Sequence, residues 1–140
     1  MKIRSGFVSN SSSSSFVAVG IGRGGWNATE EDKQLWQDLM NAMGLPTRGY
    51  DYDDFYDGGK YPNKLTDYDY GTYKTVDGTD ICLYGGYEFY FAGLDAMPLF
   101  EKDMKLSEIK KKFQEIIKKH YGVKIKLSQI ELRSDEVSSE

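Results

Sequence analysis

The sequence predicts an α+β fold in which a small antiparallel sheet is packed by two amphipathic helices, giving two layers. Apolar residues recur with helical spacing in two segments, 29–43 and 106–121. Short runs rich in β-branched and aromatic residues lie outside these segments, as is typical of strands. With these elements in a chain of 140 residues, we expect a single domain over residues 1–133.

The first helix is predicted over residues 29–43. Thr29 is a good N-cap, and the acidic residues at 30–32 favour the positive end of the helix dipole. Gly44 is suited to the left-handed position after the helix, and Pro46 prevents its continuation. The predicted buried face consists of Leu35, Trp36, Leu39, Met40 and Met43.

The second helix is predicted over residues 106–121, with Ser107 as its cap and Gly122 as its end. Its predicted buried residues are Ile109, Phe113, Ile116 and Ile117, while its lysines face water. His120 lies in the last turn, where a positive charge suits the helix dipole. We therefore interpret this histidine, the only one in the chain, as a helix-end residue and not as a catalytic one.

The predicted strands are residues 16–21, 81–84, 87–92 and 123–127, with 130–133 as a possible continuation. Gly85 and Gly86 form a favoured two-residue turn between the second and third of them. Cys82, between two aliphatic residues, is expected to be a small buried hydrophobic residue. Residues 134–140 are predicted to be a disordered tail.

Composition excludes several classes of protein. A single cysteine makes neither an internal disulfide nor a zinc site, so a secreted disulfide scaffold is not expected. No apolar run approaches the roughly 20 residues that span a bilayer, and serines interrupt any signal peptide. We predict a cytoplasmic protein with no membrane contact, no metal and no cofactor.

Residues 47–80 carry the whole excess of negative charge. The chain has a net charge of −4, and this segment holds eight aspartates against four basic residues. It also holds seven of the eleven tyrosines. We predict a long ordered loop or two short, exposed strands here, and long ordered loops are usually functional.

Two motifs suggest ligand sites. Gly20, Gly22 and Gly25 form G-x-G-x-x-G between a strand and a helix, which is the context of a dinucleotide-binding turn. However, no second apolar strand with a ribose-binding acid follows, and acidic residues occupy the position of the phosphate. The stretch 51–59 has the composition of a calcium loop, yet neither Asp51 nor Asp53 starts a register with the required ligands.

The N-terminus contains five consecutive serines, Ser11, Ser12, Ser13, Ser14 and Ser15. The surrounding motif "SGFVSNSSSSSF" resembles one in uncharacterised proteins of bacteriophages and their bacterial hosts, and residues 93–133 are similar in pattern to the C-terminal part of some of them. The resemblance implies a phage-related origin and no particular chemistry. Residues 1–15 are interpreted as a tag or modification site, with an ordered crossover capped by serine hydroxyls as the alternative.

These observations favour a non-enzymatic, phage-type accessory or interaction protein that presents an acidic, tyrosine-rich loop to a protein with a basic surface, with no direct contact to nucleic acid. The alternatives are a nucleic-acid mimic that inhibits a host nuclease or defence protein, and a small nucleotide-binding or transfer enzyme using the glycine-rich turn. The predicted partner-binding residues are Asp51, Tyr52, Asp53, Asp54, Tyr56, Asp57, Asp67, Tyr68, Asp69 and Tyr70.

Overall fold

A computed structural model describes residues 13–24, 27–47, 54, 58–61, 64–69, 71–85 and 89–138, with only the backbone of 13–15, 67–69 and 135–138. The elements, in chain order, are β1 (Ser13–Gly22), α1 (Glu30–Met43), β2 (Leu65–Asp69), β3 (Thr72–Thr75), β4 (Ile81–Gly85), β5 (Phe89–Asp95), α2 (Met97–Glu101), α3 (Leu106–Tyr121) and β6 (Glu131–Ser138).

The six strands form one antiparallel sheet in the order β2-β3-β4-β5-β1-β6. Strands β2 to β5 follow one another as a meander, and β1 inserts between β5 and the last strand. The predicted α+β class is therefore confirmed. The topology makes β2 and β6 the two edge strands of the sheet.

The main core lies between one face of the sheet and the helices. Trp36 and Leu39 of α1 join Phe113 and Ile117 of α3 in one buried cluster, together with strand residues such as Leu83. These four helix residues are at most 1% exposed, as predicted. The prediction was wrong for Ile116, which is only partly buried at the edge of this cluster. Apolar burial of this kind is the main term that stabilises the fold.

The ends of α1 agree with the predicted caps. The Thr29 hydroxyl accepts a hydrogen bond from the Asp32 N–H at 3.1 Å. Gly44 adopts a left-handed φ of 72°, and its N–H donates to the Asn41 carbonyl. The predicted cap of the second helix is wrong, because α3 begins after Lys105 and not after Ser107. Glu108 explains the difference, since its carboxylate accepts the Lys105 N–H at 2.8 Å.

The opposite face of the sheet carries a second buried cluster, consisting of Phe16, Ala18, Cys82, Tyr84 and Phe91. Phe16 stacks on Tyr84 with ring centroids 4.3 Å apart, and the Arg133 guanidinium lies 4.8 Å from the Phe91 centroid. The prediction that Cys82 is buried is confirmed. Burial, together with the nearby Asp95 carboxylate, raises the pKa of the Cys82 thiol to about 11, so the thiol stays protonated at neutral pH.

Two glycines allow β1 and β5 to approach closely. Gly20 pairs with Gly93 in the ladder, and a Cβ added to Gly20 would lie 1.9 Å from the Ala92 carbonyl oxygen. Gly20 thus lies inside the sheet, and Gly22 is the last residue of β1. Both glycines of the G-x-G-x-x-G pattern that the structure describes belong to a strand, while Gly25 lies outside the described residues. Close backbone packing explains Gly20 without a phosphate-binding turn.

The C-terminal part differs from the prediction. Residues 123–127 are not a strand: the Gln114 amide donates to the Ile125 carbonyl at 2.8 Å, and a 3-10 turn (Leu127–Gln129) follows. The Gln114 side chain and the 3-10 turn thus use backbone groups that a strand ladder would need. The expected tail is also wrong up to Ser138, because β6 pairs with β1 from Glu131 to Ser138. The short helix α2, with Pro98 in its first turn, was not predicted.

Candidate partner-binding segment

Residues 47–80, here called the acidic segment, connect the end of α1 to the β4 strand and include β2 and β3. The predicted alternative of two short strands matches the observed β2 and β3. The strands are less exposed than predicted, because Leu65, Tyr73 and Thr75 are buried. The acidic segment thus contributes one edge of the sheet and part of the core.

The structure describes some of the predicted partner-binding residues. Asp54 is a half-buried residue in a 3-10 turn, whose carbonyl accepts the Tyr61 N–H at 2.5 Å. The last three residues of β2 are Asp67, Tyr68 and Asp69, and the register shift between Asp67 and Asp69 marks a bulge. The remaining predicted residues lie outside the described part of the chain: Asp51, Tyr52, Asp53, Tyr56, Asp57 and Tyr70.

Two aspartates of the acidic segment that were not among the predicted partner-binding residues have structural partners. The Asp80 carboxylate lies 3.6 Å from the Lys74 ammonium. Asp77 accepts hydrogen bonds from Thr75 at 2.9 Å, from Thr79 at 2.8 Å, and from the Tyr121 hydroxyl. Tyr121 is the last residue of α3, so this cluster ties the turn between β3 and β4 to the helical layer.

The cluster changes the titration of both of its ionisable members. Burial raises the pKa of Asp77, but the hydrogen bonds from Tyr121, Thr79 and Thr75 lower it more, and the resulting pKa is below the ordinary value of 3.8. Burial raises the pKa of Tyr121, and the Asp77 carboxylate raises it further. Near neutral pH the carboxylate is therefore ionised and the phenol is protonated, which is the pair that the hydrogen bond requires.

Replacing Tyr121 by phenylalanine is expected to lower the free energy of unfolding by about 1 kcal/mol at neutral pH, since a hydrogen bond to a partly exposed carboxylate is lost. Because the pKa of Asp77 is lowered on folding, its contribution is present above pH 3.8 and is lost as the pH falls through the folded pKa. Urea unfolding of the wild type and the variant between pH 2 and pH 7 measures the difference in their free energies of unfolding. A stability difference that is independent of pH would contradict the assigned bond.

A hollow of about 370 Å³ lies where the acidic segment leaves α1. Its lining residues are Asn41, Leu45, Pro46, Thr47, Asp54, Lys60 and Tyr61. The Trp36 indole N–H donates to the Thr47 carbonyl at 3.3 Å, which holds the start of the segment against the helix. The hollow is therefore lined by the end of α1, by the residues that follow it and by residues of the acidic segment.

The charges around the hollow include both signs. Asp54 contributes a carboxylate, and the last turn of α1, which contains no basic residue, presents the negative end of the helix dipole. The Lys60 ammonium lies over the Tyr61 ring, 5.4 Å from its centroid. Lys64 is near the same helix end, since a Cβ on Gly44 would be 3.3 Å from its Nζ. Positive charge thus lies beside the ring and the helix end.

Four residues that line the hollow were not predicted as site residues: Asn41, Thr47, Lys60 and Tyr61. Asn41 belongs to a helix and Thr47 follows its end, so only the folded chain brings them near Asp54, Lys60 and Tyr61. The one available signal was a lysine directly followed by a tyrosine in an otherwise acidic stretch. That pair is common enough to carry no prediction alone.

The serine tract is only partly described. Ser13, Ser14 and Ser15 are the first residues of β1 and pair with Ser138, Val137 and Glu136 of β6. Ser11 and Ser12 lie outside the described residues. These three serines are ordered, but they belong to a strand and not to the crossover that was the alternative interpretation. Whether the tract also acts as a tag or is modified stays a prediction.

The described residues show neither a metal site nor a membrane span. No group of three or more histidine, cysteine, aspartate or glutamate side chains among them could hold a metal ion. No helix in the described part of the chain is long and apolar enough to cross a bilayer. His120 is exposed at the end of α3, and its ring contacts that of Tyr121 with centroids 6.4 Å apart.

Comparison with known proteins found no match: no family model, no curated protein and no solved structure is similar to this chain.

Proposed function

We propose that this protein is a non-enzymatic, phage-type accessory or interaction protein, and that the acidic segment binds a protein with a basic surface. The observation that carries the proposal is the distribution of charge. The chain has a net charge of −4, and the excess of aspartate over basic residues in the acidic segment accounts for all of it. Like charges held close together oppose folding, so a cationic partner explains them better than stability does.

The contacts of the individual aspartates support this proposal. Asp77 and Asp80 stabilise the turn between β3 and β4, which accounts for their presence without a partner. Asp67 and Asp69 lie in β2, an edge strand, where charged residues also discourage pairing between sheets. Asp54 lies beside the hollow at the end of α1. These positions place acidic residues at the β2 edge and beside α1, where we propose that a basic protein approaches.

The proposal is tested by replacing Asp51, Asp53, Asp54 and Asp57 with asparagine and capturing partners from a bacterial lysate of the host. A matched control replaces Glu30, Asp38, Glu101 and Glu115, all exposed on helices, with their amides. Each variant loses four negative charges, so both reach the same net charge. We expect the control to capture the same basic protein as the wild type, and the acidic-segment variant to lose most of it.

Two results of this capture experiment would contradict the proposal. Equal capture by the acidic-segment variant and the wild type would show that the segment is a solvated surface. Equal loss in both quadruple variants would show that net charge alone governs binding. If the captured protein is a nuclease or another nucleic-acid-binding protein, the acidic segment acts as a nucleic-acid mimic, because regularly spaced carboxylates can replace phosphates.

A further inference from the structure

We propose that exposed lysines on α3 bind the acidic segment of a second copy of this chain. This inference rests on the proposed function, because it names one basic surface that the acidic segment would bind. Its basis is the separation of opposite charges within one chain, together with the exposure of the lysines. The surface, here called the lysine face, consists of Lys111, Lys112, Lys118 and Lys119.

The C-terminal half of the chain is neutral only when all of its charges are counted together. Residues 81–140 contain ten acidic and ten basic residues. Nine of these ten basic residues lie within residues 102–126, which contain only three acidic residues. This stretch includes α3 and has an excess of six positive charges. The same chain thus carries a basic region and an acidic segment with an excess of four negative charges.

The helix places the lysine face on its outer side. The buried residues of α3 join the main core, while all four residues of the lysine face are exposed. Residues seven apart lie on nearly the same side of an α-helix, about 10.5 Å from each other along the axis. Lys111 and Lys118 therefore form one row. Lys112 and Lys119 form a second row beside it.

The contacts of the described residues do not neutralise the lysine face. None of the salt bridges among these residues includes one of its four lysines. The bond that joins α3 to the acidic segment runs from the Tyr121 hydroxyl to Asp77 and involves no lysine. A second copy that brings negative charge to this face would reduce the repulsion among its lysines.

Helix stability explains only part of this charge. Lys118 and Lys119 lie in the last turn, where positive charge suits the helix dipole. Lys112 follows Glu108 by four residues, a spacing that stabilises a helix slightly. Neither effect accounts for the excess of positive charge over the whole of residues 102–126.

The acidic segment fits the lysine face better than a nucleic acid does. The helical period places Glu108 and Glu115 between the two lysine rows, where they would repel phosphates. The acidic segment also carries four basic residues among its aspartates, so it can offer positive charge to these two carboxylates. Both signs of charge on one surface can thus meet both signs on the other.

The two surfaces lie on different parts of the molecule. α3 packs on β1 and β5, whereas the acidic segment includes β2, the edge strand. β2 is three strands away from β5, or about 14 Å across the sheet. A contact between the lysine face of one copy and the acidic segment of another is therefore head-to-tail, and such contacts can add further copies.

Sedimentation equilibrium of the full chain at low salt tests this inference with two variants. One has glutamine at the four positions of the lysine face, and the other has asparagine at Asp51, Asp53, Asp54 and Asp57. We expect the wild type to form species of increasing mass and to lose most of this association at about 0.3 M salt. Each variant alone should stay monomeric. An equimolar mixture of the two should form a one-to-one complex, because each variant keeps the surface that the other lacks.

The control for the lysine variant replaces the four basic residues that precede residue 47 with glutamine: Lys2, Arg4, Arg23 and Lys33. Both variants lose four positive charges, so they reach the same net charge. The control should associate as the wild type does, and circular dichroism should show that all variants are folded.

A wild type that stays monomeric at low salt would overturn the inference. Wild-type association in the lysine variant, or failure of the two folded variants to bind each other, would overturn it as well. Retardation of duplex DNA by the wild type and not by the lysine variant, without self-association, would assign the face to a nucleic acid instead.

The failure of this inference can be distinguished from the failure of the proposed function. If the variants do not bind each other but the asparagine variant loses partner capture, the proposed function stands. If the mixture associates but the asparagine variant captures the same protein as the wild type, that protein binds elsewhere. Only the contact between copies would then remain.

Discussion

Replacing Phe113 by alanine is expected to lower the free energy of unfolding by about 3–5 kcal/mol, one of the two largest effects among single substitutions that we predict. Phe113 is 0% exposed and lies in the cluster that joins α1, α3 and the sheet. Truncation removes the buried ring and leaves a cavity that surrounding side chains fill only in part. Denaturant unfolding followed by circular dichroism measures the change.

Leu127→Ala is the control for this substitution, because Leu127 is also a large apolar residue but is 39% exposed. Its expected loss is below about 1 kcal/mol. If Phe113→Ala also cost less than about 1 kcal/mol, α3 would not pack on the sheet as described. The pair therefore tests whether the helical layer and the sheet share one core.

Gly20→Ala is expected to destabilise the fold by about 3 kcal/mol or more, although it adds only one methyl group. The added Cβ would lie 1.9 Å from the Ala92 carbonyl oxygen and 2.5 Å from the Gly93 Cα, and both are backbone atoms. Because backbone cannot rotate away as a side chain can, β1 and β5 must separate in the middle of the sheet. Thermal and denaturant unfolding both report this loss.

Gly22→Ala, in the same strand, is the matched control. Its Cβ would meet the Arg133 guanidinium at 2.9 Å, and that flexible side chain can move at small cost. We expect a loss of about 1 kcal/mol or less. If both glycine variants were equally stable, the close approach of β1 and β5 would be wrong, and the glycine-rich turn would again need another explanation.

The helices could be predicted because their signals are local. Thr29, Gly44 and the apolar spacing of α1 lie within one short stretch of chain, and the observed caps use those same residues. The cap of α3 was misplaced by two residues, because the Glu108 carboxylate selects Lys105 through a bond that a capping preference for serine does not reveal.

The end of the chain could be predicted only in part. Residues 131–133 belong to β6, in agreement with the predicted continuation at 130–133, but residues 134–138 were predicted as a tail, although their backbone pairs with β1 more than 100 residues earlier. Residues 123–127 do alternate, but the Gln114 amide and the following 3-10 turn use their backbone groups. Long-range pairing and tertiary hydrogen bonds decided both cases.

In the candidate site, too, local sequence signals could be predicted and long-range contacts could not. The excess of aspartate and tyrosine in residues 47–80 is visible in the sequence. The hydrogen bond from Tyr121 to Asp77, and the hollow that the end of α1 shares with Asp54 and Tyr61, depend on parts of the chain that only folding brings together. Composition could therefore locate the segment, but it could not show which of its aspartates have structural partners.

The association rate of the captured basic protein, measured at low salt and near 0.1 M salt, tests the central claim most directly. Exposed charges steer an approaching partner, and salt screens them over about 10 Å at 0.1 M. We predict that the asparagine variant at Asp51, Asp53, Asp54 and Asp57 associates more slowly than the wild type and loses most of the salt dependence, while the helix-surface control keeps both. Identical association rates for the wild type and the asparagine variant at both salt concentrations would contradict the claim that the acidic segment binds this partner.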